Sequence, residues 1–265
     1  MFDLDRYIAR DSPLHAADAR LKFLLTIAFI VAVGLLPTGA FAAIAIAWAA
    51  LVILSATAGL GPFRLSRNAF FALPFMLAAA PLIFTRPEDP IASIPLGPLT
   101  ITISGFGLLL FATIAAKSWV SVQAALLLTY TTPFHDLVDG LRRLHLPRIL
   151  VSTISFMYRY LAVLSDEASR LMRARASRAA DVGGHGGGSI RWRASVVGGM
   201  VGSLFLRAYE RSERVYAAMQ ARGFEGELKT LHGHVATPVE VAWFFLLLGA
   251  IAAYLAVALL WLPRV

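Results

Sequence analysis

The chain has 265 residues, 58% of them hydrophobic and 15% charged, with a net charge of +8 and no cysteine. A soluble domain of this size needs roughly a quarter of its residues charged, so the composition is that of an integral membrane protein. Without cysteine a disulfide, a thiolate metal site and a cysteine nucleophile are all excluded. The basic residues gather in segments that would face the cytoplasm, as membrane topology demands, which argues against nucleic acid as a partner.

Residues 1–20 carry Asp3, Asp5, Arg6, Arg10, Asp11, Asp18 and Arg20 with no apolar run before Leu21. A cleavable signal is therefore not expected, and the N-terminus should be retained. A spanning helix needs about 20 apolar residues, and five are predicted in an all-α membrane protein. They are Leu21 to Leu36, broken by Pro37-Thr38-Gly39; Ala40 to Leu60; and Phe70 to Phe84, interrupted by Pro74 and Pro81. Gly105 to Thr129 follows, with Lys117 and Gln123 inside it, and then Val239 to Leu262, with Trp243 and Trp261 near its ends. The external loop 85–104, rich in Pro and Thr, has the pattern of a short hairpin.

Loop charges set the orientation. Arg64 and Arg67 follow the second span without an acid, the loop after the third has Arg86 against Glu88 and Asp89, and residues 130–238 carry 15 Lys and Arg against 9 Asp and Glu. The positive-inside rule then places the N-terminus and the basic block in the cytoplasm and the C-terminus outside. The expected organisation is a four-span region over 1–130, a cytoplasmic helical coupling block over 131–235, and a last span over 236–265.

Within the block, Pro133 opens a short helix, Phe134 to Leu144, and Pro147 opens a longer one from Arg148 to about Ala180. Residues 183–188 hold five glycines in six positions, which no helix tolerates. A third helix is predicted from Ser189 to Arg222, stopped by Gly223. Arg207, Arg211, Arg214, Ala218 and Arg222 fall on one stripe of it, as do Arg159, Asp166, Arg170, Arg173 and Ser177 on the earlier helix. Both helices finish in a small-Arg-small triplet, Ser177-Arg178-Ala179 and Ala221-Arg222-Gly223. Intrahelical pairing with Glu210, Glu213 and Asp166 would make these stripes ordinary solvated faces. Their repetition instead favours guanidiniums displayed for the carboxylates of a partner. Gly198 with Gly202, and Gly199 with Ser203, have the spacing that lets two helices approach closely.

Taken together these motifs resemble the transmembrane T component of energy-coupling factor (ECF) transporters, most closely its cobalt/nickel-type branch, CbiQ. The run Ser12-Pro-Leu-His15-Ala-Ala-Asp18-Ala19-Arg20-Leu-Lys22 is similar to the family's Ser-x-x-His-x-x-Asp-Pro-Arg-x-Lys, with Ala19 in place of proline. Leu146-Pro147-Arg148, Met157-Tyr-Arg159-Tyr160 and Leu164-Ser-Asp166-Glu167-Ala168 resemble its cobalt-type segment. Ala221-Arg222-Gly223 matches the family's Ala-Arg-Gly coupling motif, whereas Ser177-Arg178-Ala179 matches it only at the arginine.

The resemblance implies a four-part importer in a bacterial inner membrane. In it this subunit is a non-catalytic scaffold joining a metal-binding membrane subunit of CbiM type to two ABC-type ATPases, alongside a small accessory membrane subunit. Arg178 and Arg222 would enter grooves of the ATPases, supported by Arg170, Arg173, Arg207, Arg211 and Arg214. No cofactor would be bound by this chain, and ATP would be hydrolysed by the partners. A T component of a vitamin importer would share these physical features.

Other readings find little support. The Gly-rich tract lacks the Lys and Ser/Thr of a phosphate-binding loop. His15, His135, His145, His185, His232 and His234 are scattered, and only His232-Gly-His234 is a close pair, short of a metal ligand set. A hydrolase would need a nucleophile and base within the membrane, yet no histidine falls in a predicted span; His135 with Asp139 is the one pair with base-orienting spacing. A stand-alone carrier would rest on Lys117, the intramembrane charge, without an inverted repeat to support it.

Overall fold

The computed structural model describes residues 7–85, 90–96, 99–144, 146–178, 189–226 and 237–261. These fall into two compact units: residues 7–140 with 237–261, and residues 141–226. Ala179, the 183–188 glycines and His145, His185, His232 and His234 lie outside the described residues.

The first unit begins with a strap in which Ser12 caps a single turn, α1 (Pro13–Ala16). Asp18 then caps α2 (Ala19–Leu35), its carboxylate accepting from the Arg20 amide at 2.8 Å and from the Arg20 guanidinium at 2.9 Å. Ala19 therefore stands at the first helical position, where proline is favoured because its missing N–H would be unsatisfied anyway. The alanine-for-proline exchange in the N-terminal run falls at this position. The Ile8 amide donates to the Tyr130 carbonyl at 3.1 Å, Arg10 donates to the Gly59 carbonyl, and the Lys22 ammonium donates to Thr131 O at 3.2 Å. The conspicuous polar residues of the N-terminus thus close helix ends.

α3 (Phe41–Thr57) buries Ala43, Ile44, Ala47, Leu51 and Ser55, a stripe at helical spacing, and exposes Phe41, Ile46, Trp48 and Ile53. A helix apolar all round is stable only in lipid or a large core. It stops at Gly59 (φ +69°), with Leu60 N–H donating to Ser55 O and Gly59 N–H to Ala56 O, both at 2.9 Å.

The predicted third span, Phe70 to Phe84, is not one helix. The chain instead forms α4 (Pro62–Ala69), a 3-10 turn over Phe70–Ala72, α5 (Leu73–Leu77) and α6 (Leu82–Thr85). Pro74 and Pro81 each remove an amide that a continuous helix would use. The antiparallel hairpin expected in the following loop is present, β1 (Pro90–Leu96) on β2 (Leu99–Ser104). α7 (Gly105–Thr131) then runs back along the broken segment. Asn68 donates to the Tyr130 hydroxyl, Phe70 meets Trp119 edge-on at 6.4 Å, and a Cβ at Gly107 would stand 2.7 Å from Leu82 O.

Lys117 of α7 donates to Gly34 O at 3.1 Å and to Leu36 O, two carbonyls at the end of α2. The intramembrane charge is therefore engaged in capping a helix, the place where a cation best offsets the dipole. α8 (Phe134–Arg143) is a short amphipathic helix; on it His135 lies 3.4 Å from Asp136, so the proposed partner Asp139 is not the carboxylate it meets.

In the second unit lie α9 (Arg148–Arg178) and α10 (Ile190–Ala221). The first unit ends with α11 (Pro238–Trp261), opened by a capping box in which Thr237 N–H donates to Glu240 Oε2 at 2.6 Å and Glu240 N–H to Thr237 Oγ1 at 3.4 Å. The Tyr254 hydroxyl donates to Ala43 O of α3 at 2.8 Å.

Among the described residues α7, α9 and α11 are long and apolar enough to cross a membrane. α2 and α3, at 17 residues each, stand at the short limit for doing so. The fold is an all-α membrane protein with one small hairpin. The third of the expected spans is broken into short helices near its prolines, and α9, placed by sequence in the polar block, carries an apolar first half.

Candidate coupling site on a pair of long helices

Two sequence devices shape α10. Ser189 caps its start, accepting from the Trp192 amide at 3.3 Å. At its end Arg222 is the cap residue and Gly223 takes φ +78°. Gly223 N–H donates to Gln220 O and Phe224 N–H to Met219 O, each at 3.0 Å, the paired bonds of a Schellman stop. Ala-Arg-Gly is therefore a physical unit: last helical residue, exposed arginine, and the glycine that lets the backbone turn left-handed.

Past the stop the chain folds back on the start of α9. Phe224 meets Phe156 edge-on at 6.3 Å, and the Ser152 hydroxyl donates to Gly226 O at 3.0 Å. Further along, Glu167 of α9 accepts from Arg207 at 3.2 Å and from Arg211 at 3.1 Å. Partner numbers fall on α10 as they rise on α9, so the two helices run antiparallel. The two guanidiniums hold the Glu167 carboxyl below the usual carboxylate range. They also cover it, leaving its side chain 17% exposed. Glu167 lies in the charged second half of α9, beyond the apolar run that ends at Leu164. Between the helices a groove of about 830 Å³ is lined by Phe156, Tyr160, Leu164, Val215 and Met219, among others.

The arginine stripes divide accordingly. Arg207 and Arg211 each give one N–H to Glu167 and so brace α10 to α9, Arg207 with its side chain still 57% exposed. Arg214 stands 3.9 Å from Glu210 on the same helix, both side chains exposed, and the Arg170 guanidinium donates to Asp166 O at 3.4 Å. Arg173 is exposed. Arg178, the last residue of α9, and Arg222 are also exposed, and neither guanidinium has a hydrogen bond or ion pair among the described residues. The Ser177 hydroxyl donates to Ala174 O at 3.0 Å. Ala221 and Gly223 stand at the helix stop.

Sequence reasoning missed Glu167 as the brace and Phe224 as the latch. The spacing of three and four residues that exposes pairs within one helix carries no information about its neighbour. The glycine stripe also differs from expectation, since a Cβ added at Gly198, Gly199 or Gly202 meets nothing within 4 Å. No other helix closes on it among the described residues. Nor, among them, do three or more His, Asp or Glu side chains gather as a metal site would need.

Apolar helices with outward-facing side chains define an integral membrane protein, and a separate unit holds two long helices, α9 with an apolar first half and α10. A family model described as cobalt transport protein, CbiQ, matches residues 10–232, and the chain belongs to that family. It is 28% identical over 231 residues to the energy-coupling factor transporter transmembrane protein EcfT of Heliobacterium modesticaldum, covering 84% of each chain. It is 30% identical over 185 residues to the cobalt transport protein CbiQ of Salmonella typhimurium, covering 67% of this chain and 80% of that one. Over a shorter stretch of 96 residues it is 36% identical to the nickel permease LarQ of Lactiplantibacillus plantarum, covering 36% of this chain and 33% of the relative. The protein is a transmembrane component of an ECF-type transporter.

Proposed function

We propose that this chain is the coupling subunit of an ATP-driven importer of cobalt or nickel ions, passing the closure of two ABC-type ATPases to a separate metal-binding membrane subunit. The observation that carries the reading is the placement of Arg178 and Arg222. Both are exposed guanidiniums without a hydrogen bond or ion pair among the described residues, one at the end of each long helix. Because the helices are antiparallel, Arg222 lies near the level of Phe156, and the 22 residues from there to Arg178 span about 33 Å at the helical rise. Two grips that far apart suit two ATPase protomers, one arginine to each. The choice of ion follows the family description and the names of the cobalt and nickel relatives. ATP hydrolysis and metal binding belong, on this reading, to the partner subunits. The basic residues of these segments support a cytoplasmic side for the paired helices and the N-terminus, in a bacterial inner membrane.

The test is Arg178→Glu combined with Arg222→Glu, co-expressed with the ATPases. Membrane insertion should be normal, while ATPase association falls by on the order of a hundredfold, because reversed charges in a desolvated groove are strongly repelled. A double variant that still co-purifies with the ATPases and supports uptake overturns the reading.

A further inference from the structure

Between Asp18 and Glu88 the sequence has no acidic residue, yet α4 carries Arg64 and Arg67. The inner side of α4 is fixed, with Leu65, Ala69 and Ala72 nearly inaccessible and Asn68 bonded to Tyr130. The outer side is therefore fixed too. It presents Arg64 and Arg67, both exposed, with Phe63 at 79%, Phe71 at 72% and Phe70 at 62% exposure. Neither arginine has a hydrogen bond or ion pair among the described residues. Three residues apart on a helix, they are neighbours on one edge.

Position says what meets this edge. Apolar α3 ends at Thr57, with four residues between it and Pro62, and by Phe70 the chain is already against Trp119, near the middle of α7. α4 must therefore cross the zone between water and hydrocarbon, where phospholipid phosphates lie. An unpaired guanidinium there reaches outward for a phosphate, while exposed aromatic rings sit among the upper acyl chains.

We propose that the α4 edge is a docking site for an anionic phospholipid, with Arg64 and Arg67 holding the headgroup phosphate and Phe63 and Phe71 lying against its chains. Two positive charges without an ion pair among the described residues favour a lipid of net negative charge over a zwitterionic one. The site is independent of the ATPase grip and of which ion is carried.

The experiment is native mass spectrometry of the full chain and of the assembled transporter, each released from bilayers containing equal phosphatidylglycerol and phosphatidylcholine. The wild type should retain phosphatidylglycerol preferentially in both. Arg64→Gln with Arg67→Gln should reduce that preference by on the order of tenfold. Arg64→Lys with Arg67→Lys, which keeps the charge but loses the planar fork, should fall between the two and guards against a folding defect. Equal retention of the two lipids by the wild type, or an unchanged preference in the glutamine variant, overturns the proposal. So does a preference seen in the isolated chain that disappears in the assembled transporter, since the edge would then belong to a protein partner. Addition of free phosphate at millimolar concentration should leave the retained lipid in place; its displacement would point to a soluble anion and overturn the lipid assignment.

Discussion

Glu167 is the residue on which the helix pair turns, because one carboxylate satisfies two guanidiniums from the facing helix. Its folded pKa is depressed by those two donors. A depressed carboxylate stabilises the fold fully above its unfolded value of 4.5, and the contribution is lost as pH falls from there through the folded value. The wild-type chain in detergent should therefore lose melting temperature as the pH drops below 4.5. Glu167→Gln should be less stable at neutral pH and lack that acid slope. It should also release Arg207 and Arg211, so proteolytic cleavage between residues 190 and 226 should become several-fold faster. Indistinguishable melting curves for the two proteins across this range would show that the brace contributes nothing.

α10 contains glycines of opposite meaning. Gly223 holds φ +78°, where a Cβ costs about 1–2 kcal/mol, so Gly223→Ala should destabilise the helix stop by that amount and loosen Arg222. Gly198 and Gly202 lie in the helix interior with open space around them. Alanine at either should stabilise the isolated chain by about 0.5–1 kcal/mol through helix propensity alone. Thermal melts of the three single variants check the pair of signs, and a loss of stability at Gly202→Ala contradicts the open geometry. The same helix shows what its sequence disclosed. Ser189 and Gly223 mark its ends because capping is a local matter, legible in one strand of residues. The Phe224 latch and the Glu167 brace depend on which helix lies opposite, and hydropathy sees neither. The third span shows the same division: Pro74 and Pro81 mark in the sequence where it is interrupted, but not how its pieces pack along α7. Lys117, conspicuous in the sequence as an intramembrane charge, is answered by the carbonyls at the end of α2, which only the fold brings near.

At the scale of the whole molecule, the proposed division of labour separates chemistry from mechanics. The membrane unit places its polar side chains at helix ends: Asp18, Arg10, Lys22 and Lys117 all engage helix termini or the turns beside them. The second unit engages Glu167, Arg207 and Arg211 in holding α9 to α10. A titratable group consumed in structural contacts is unavailable to ligate an ion, and the chain has no cysteine to offer instead. Cobalt binding and ATP turnover should therefore require the partner subunits. Calorimetry of the purified chain with Co²⁺ should show no stoichiometric site of micromolar affinity or better, and proteoliposomes holding the chain alone should neither hydrolyse ATP nor accumulate the ion. His232 and His234 are the closest pair of imidazoles in the sequence, so the variant lacking both is the informative control. A tight one-to-one isotherm abolished by His232→Ala with His234→Ala would locate a metal site in this chain and refute the division of labour. A flat isotherm for both proteins is the result expected of a subunit that moves an ion it does not hold.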